Sequence, residues 1–149
     1  MKTELCYYCD STFDQEDNNK WQKLVNVAVS SCDYIEFNIL KKDYSNVKEI
    51  SDISDALIEK HKRKNKIYPS GYCLRYKLCE KVIAFIKSKD YVAWNNYYLE
   101  DPSFIKDDLE ILSTITHENY VIMLMASDEQ KKLNKEGFNF AYWGDIEDM

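Results

Sequence analysis

Glycine and proline are scarce in this chain, three and two among 149 residues. That scarcity excludes collagenous and Pro/Gly-rich disordered classes, and it leaves no glycine-rich loop able to cradle a phosphate. Arginine is nearly missing as well: Arg63 and Arg75 stand alone against a lysine majority, so bidentate recognition of phosphate or carboxylate is in short supply. Histidine occurs only as His61 and His117, which limits metal sites and general-base chemistry. No long hydrophobic run exists. The longest, "VIMLMA" at residues 121–126, is far below the roughly 20 residues that span a bilayer. The start "MKTELCYYCD" has no basic segment followed by an apolar stretch, so no secretory signal is expected.

What is present fits a packed globular chain. Apolar residues make up 45% and charged residues 31%, and 149 residues suffice to bury one core without disulfides or metal. The expectation is one domain over residues 1–149. Five cysteines, an odd number, together with the missing signal, predict a cytoplasmic protein with reduced thiols. Twenty basic residues against 26 acidic ones give a net charge of −6. Such a field repels polyanions and favours basic partners, so a basic protein is the expected partner and neither nucleic acid nor membrane is expected, RNA binding through the 60–66 run being a minor alternative.

Hydrophobic spacing predicts a helix over 19–32 from Trp21, Leu24, Val25, Ala28 and Val29, capped by Asn18 or Asn19. A half-buried strand follows at "DYIEFNIL", where Ile35, Phe37 and Ile39 alternate with polar residues. A second helix is predicted through "DALIEKHKRKN", capped by Ser51 or Ser54 and ended by the turn "YPSG". The stripe Leu74, Leu78, Val82, Phe85 and Ile86 predicts a long helix to about Lys89, although Tyr72, Leu74, Tyr76 and Leu78 also alternate as in a strand. "YVAWNNYYL" is ambiguous and ends near Pro102. "NYVIMLMA" reads as a buried strand, Ser127 and Gln130 as a capping box for a helix that stops at Gly137, and "FNFAYW" as a last strand. With no repeats or linkers, these elements predict an α+β fold: a single mixed domain with a mostly antiparallel sheet packed with three to five helices.

Chemical motifs are few. Cys6 and Cys9 are spaced like a zinc knuckle, but the spacing of Cys73 and Cys79 cannot supply a second ligand pair, so no metal and no cofactor are expected, a mixed site with His61 or another cysteine being the residual option. A thioredoxin-like role fails because only five residues precede Cys6, too few for the strand that must come first. Cys32 with His117 as base is the best available nucleophile pair, and a half-buried core cysteine with a loop histidine explains the same letters. "KHKRKNK" at 60–66 is read as a solvated helix end rather than a phosphate-binding stretch. Acidic residues gather at Asp10, Asp14, Glu16 and Asp17; at Asp101, Asp107, Asp108 and Glu110; and at Asp145, Glu147 and Asp148. None has the pattern of a calcium loop or a hydrolase centre.

Aromatic residues reach 14%, with twelve tyrosines and three tryptophans. Several stand beside the acidic groups: Tyr7, Tyr8, Trp94, Tyr97, Tyr98, Tyr142 and Trp143. Tyrosine and tryptophan are favoured at binding hot spots. The composition therefore predicts a non-catalytic protein-binding domain of the inhibitor, immunity or antitoxin type that occludes a basic partner surface through Tyr142, Trp143, Asp145, Glu147 and Asp148. The competing class is a small cytosolic enzyme with a Cys/His or carboxylate centre. A structural zinc domain built on Cys6 and Cys9 comes third.

Overall fold

A computed structural model describes residues 4–62 and 71–146. In chain order the elements are β1 (Cys6–Asp10), α1 (Asn18–Ser31), β2 (Tyr34–Ile39), α2 (Lys48–Ser51), β3 (Leu57–Lys62), β4 (Tyr72–Lys77), α3 (Glu80–Lys87), β5 (Leu99–Lys106), β6 (Leu109–Ile115), β7 (Tyr120–Met125), α4 (Ser127–Lys135) and β8 (Ala141–Asp145). The eight strands form one sheet in the order β3-β4-β2-β5-β6-β7-β1-β8, with every pair antiparallel. Among the described residues four α-helices complete an α+β fold weighted toward sheet, and one of them, α2, is a single turn.

The helices cover one face. Trp21, Leu24, Val25 and Ala28 of α1, Val82, Phe85 and Ile86 of α3, and Leu133 of α4 join one cluster with Ile35, Phe37, Leu74, Tyr76, Phe104, Leu112, Val121 and Met123 from the strands. Aromatic packing dominates it: Trp94 stacks on Phe37 at 5.2 Å between centroids and meets Phe85 edge-on at 5.7 Å. A smaller cluster, built from strands alone, holds Tyr7 and Cys9 of β1, Ile115 of β6, and Ile122 and Leu124 of β7. Residues two apart on a strand share a face, so these alternate with the helix-side residues.

Helix α1 lies where its periodicity puts it, but its cap is Asp17, whose carboxylate accepts from the Lys20 amide at 3.2 Å. Strand β2 follows its alternation. The helix expected over 55–65 does not form: residues 57–62 are strand β3, paired with β4 from Leu57↔Tyr76 to Lys62↔Tyr72. Glu59, Lys60 and Lys62 have good helix propensity, yet cross-strand pairing overrides it, and charged residues suit a sheet edge. The run at residues 60–66 is therefore strand at Lys60, His61 and Lys62, and its remainder, like the "YPSG" turn up to Ser70, lies outside the described residues. The long helix expected from Leu74 divides into β4 and α3, separated by Leu78 and Cys79.

Pro102 sits inside a strand. Opposite Phe37 of β2, strand β5 carries both Asp101 and Pro102, because Glu36 pairs with Ser103 and Asn38 with Glu100. This two-for-one bulge frees the position from the ladder, so a residue without an N–H fits there. Asp101 takes the accompanying positive φ of 53°. The β5–β6 hairpin turns on Asp107 and Asp108, with φ of 51° and 62°, as a two-residue turn matched to strand twist requires. At α4 the expected capping box is absent: the N-cap is Ala126, and Gln130 instead donates to the Phe140 carbonyl at 2.8 Å.

A candidate functional site on the helix-free face and its acidic edge

Strands β3, β4, β2 and β5 place a polar network on the face opposite the helices. His61, Cys73 and Asn38 are direct neighbours across β3, β4 and β2, and Glu59, Arg75 and Glu36 form the next row. Cys73, only 4% exposed, donates from Sγ to Asn38 Oδ1 at 3.4 Å. The Asn38 amide nitrogen donates to Asp101 Oδ2 at 2.8 Å. Asp101 Oδ1 in turn accepts from the Thr116 backbone and hydroxyl, both at 2.8 Å. The bulge delivers Asp101 to this position: its carboxylate ties β2 and β5 to the turn that follows β6.

In the adjoining row Glu36 is the hub. Its Oε2 lies 3.1 Å from His61 Nε2, and its Oε1 accepts from Arg75 Nη2 at 3.0 Å. Arg75 reaches Asp108 at 3.7 Å and lies over the Tyr34 ring at 5.5 Å. The second His61 nitrogen, Nδ1, lies 3.2 Å from the Lys62 carbonyl. The sequence offers His61 and the cysteines only as separate candidate ligands, because the helix expected over 55–65 keeps His61 away from Cys73, whereas the β3–β4 pairing sets the two side by side. The alternation of Tyr72, Leu74 and Tyr76 was the available signal, since a strand there puts Cys73 and Arg75 together on the other face.

Among the described residues, three groups have donor atoms within 4.8 Å of one another: Glu36, His61 and Cys73; Glu4, Cys6 and Asp145; and Glu100, Asp101 and His117. The third is committed elsewhere, because Asp101 already accepts three hydrogen bonds. Cys6 and Cys9 form no knuckle. On strand β1 they stand about 10 Å apart along the chain and on opposite faces, with Cys9 in the strand-only cluster and Cys6 donating to Asp145 at 3.6 Å. Burial pushes the Cys9 thiol up to about 11. None of the five cysteines is in a disulfide. Cys32 is not brought to His117: it caps α1 inside the helix-side core, where burial raises its thiol above the ordinary range, whereas His117 is exposed in the turn before β7.

Other expected surface features are structural. Asp10 is buried and accepts from the Thr12 and Asn139 amides, each at 3.0 Å. Asp14 accepts from the Glu16 amide at 3.2 Å. Tyr7 and Trp94 are core residues. The carboxyl-terminal candidates differ. Tyr142 and Trp143 are 57% and 41% exposed on β8, which ends the sheet and has no strand on its outer side among the described residues. Tyr142 leans on Tyr8 at 6.4 Å and donates to Asp145 Oδ1 at 2.7 Å. Trp143 leans on Tyr120 at 6.1 Å, on the opposite face. Glu147 and Asp148 lie outside the described residues.

Charge divides along the sheet. Strands β7, β1 and β8 contain no lysine or arginine. Strands β3 and β4 carry Lys60, Lys62, Arg75 and Lys77 against Glu59 alone. No helix among the described residues is long and apolar enough to cross a membrane. No protein-family model matches the chain, nor does any curated protein or solved structure.

Proposed function

We propose that this chain is a non-catalytic protein-binding domain of the inhibitor, immunity or antitoxin kind, which occludes a basic partner surface with strand β8 and the acidic segment that follows it. One observation carries the reading: two exposed aromatic rings, Tyr142 and Trp143, straddle the terminal strand in a part of the sheet without a basic side chain. Large rings in place before binding lose little conformational freedom and supply desolvated anchors. Asp145, Glu147 and Asp148 add the attraction that speeds encounter with a basic surface. The outer backbone of β8 offers a further set of hydrogen bonds to an extended partner segment. A cytoplasmic location fits five cysteines without a disulfide.

The test is quantitative affinity selection from the native host with three baits: wild type, Trp143→Ala and Asp145→Asn. A basic protein enriched on wild type and depleted on both variants is the expected result. Recovery that ignores both substitutions, or enrichment of acidic proteins, overturns the proposal.

A further inference from the structure

We infer that Glu36, His61 and Cys73 form a binding site for a zinc-class divalent cation. The three come from adjacent strands β2, β3 and β4, and their donor atoms lie within 4.8 Å of one another. Imidazole, thiolate and carboxylate together are the donor set that Zn²⁺ accepts. In a tetrahedral site with Zn–N and Zn–O near 2.05 Å, two such ligands stand about 3.3 Å apart, and sulfur stands about 3.6 Å from either. His61 Nε2 and the Glu36 oxygens are already 3.1 and 3.2 Å apart. The thiol needs to move inward by at most about 1.2 Å, less than rotation about its χ1 provides.

Outer partners hold all three donors. The His61 nitrogen that faces away from Glu36 meets the Lys62 carbonyl, as ligating histidines do when their other N–H is fixed by the backbone. Arg75 holds Glu36 Oε1 and leaves Oε2 to the site. Asn38, itself oriented by Asp101, meets Cys73. Charge also closes: a carboxylate and a thiolate neutralise the cation, and Arg75 is balanced by Asp108 at 3.7 Å. Side chains of His61 and Glu36 are 21% and 13% exposed, so a water molecule is the expected fourth ligand of a three-residue zinc site. The site is independent of the proposed β8 interface. Four strands separate β2 from β8 in the sheet, roughly 24 Å along it.

The experiment titrates Zn²⁺ and Co²⁺ into the full chain after removal of metal with a chelator. One equivalent is expected, with a thiolate-to-cobalt absorption band. Cys73→Ser abolishes the band, and Cys73→Ser and His61→Ala each weaken binding more than about 100-fold, beyond what outer partners contribute. Cys6→Ser and Asp145→Asn, which remove the other exposed donor group, leave both readings unchanged. X-ray absorption on the wild-type zinc complex needs no variant: it shows one sulfur near 2.3 Å with nitrogen and oxygen near 2.0 Å. No stoichiometric binding, a zinc shell without sulfur, or binding that survives loss of Cys73 overturns the inference.

Discussion

Replacing Asp101 by alanine removes the acceptor on which three buried donors depend. The side chain is 1% exposed and receives the Thr116 amide, the Thr116 hydroxyl and the Asn38 amide, each at 2.8 Å. Thr116 is as buried as Asp101 itself, so its donors gain no ready replacement from solvent. A buried donor left without an acceptor costs about 1–3 kcal/mol. Three donors at the lower end, plus about 1 kcal/mol for alanine at φ 53°, give a loss of about 4 kcal/mol. Domains of this size are stable by about 5–15 kcal/mol, so Asp101→Ala loses a quarter of that or more.

Two companion substitutions divide the loss. Asp101→Gly relieves the backbone but not the donors, and recovers about 1 kcal/mol. Asp101→Asn keeps an acceptor toward Thr116 and opposes one amide nitrogen to another at Asn38, a conflict that rotation of Asn38 relieves. It costs about 1–2 kcal/mol. Urea denaturation followed by circular dichroism reads all three as midpoint shifts at constant slope. An alanine loss below about 1 kcal/mol, or an asparagine loss equal to it, refutes the reasoning.

Other predictions rest on the same contacts. Trp94→Ala, which empties the stack against Phe37 and Phe85, destabilises by about 3–5 kcal/mol, whereas Trp143→Ala at the exposed edge shifts thermal stability by no more than about 0.5 kcal/mol; paired melts decide. The Glu49 carboxyl is held below its ordinary range by the Tyr97 hydroxyl first and by Lys89 second. Its stabilisation is therefore complete above the ordinary glutamate value of about 4.3 and is lost as pH falls below it. Glu49→Gln should flatten the acid side of a stability–pH curve, and an unchanged curve rejects the assignment. With its thiol pushed up to about 11, Cys9 holds a thiolate fraction at pH 8 roughly 200-fold below that of a peptide thiol of ordinary pKa, about 8.5, so peptide mass spectrometry should find it the slower to alkylate, and alkylation as fast as the peptide's rejects the burial argument.

The legible parts of this fold were those where one face is apolar and the period unambiguous: Trp21 to Ala28 in α1, Ile35 and Phe37 in β2, and the unbroken run of β7. The illegible parts depended on pairing. Lysine and glutamate in β3 read as helix because nothing local announces an edge strand, and the β5 bulge hides Pro102 from rules that end elements at proline. The Asp107–Asp108 turn lacks the glycine that usually marks its type. Those same misreadings concealed the polar face. His61 and Cys73 become neighbours only when β3 and β4 pair, and Asp101 reaches Asn38 only through the bulge. The exposure of Tyr142 and Trp143 was no more legible, because it follows from the place of β8 at the end of the sheet and not from any local pattern.

The most direct measurement of the central claim, that β8 and its acidic continuation engage a basic partner, is binding kinetics against that partner at two salt concentrations. Association should slow as salt rises, because screening acts within about 10 Å at 0.1 M, while dissociation changes little. Converting Asp145, Glu147 and Asp148 to their amides should lower the association rate and its salt dependence together. Trp143→Ala should chiefly accelerate dissociation, at a cost of about 2 kcal/mol or more. Salt-independent association, together with a Trp143→Ala variant that binds normally but melts early, contradicts the account.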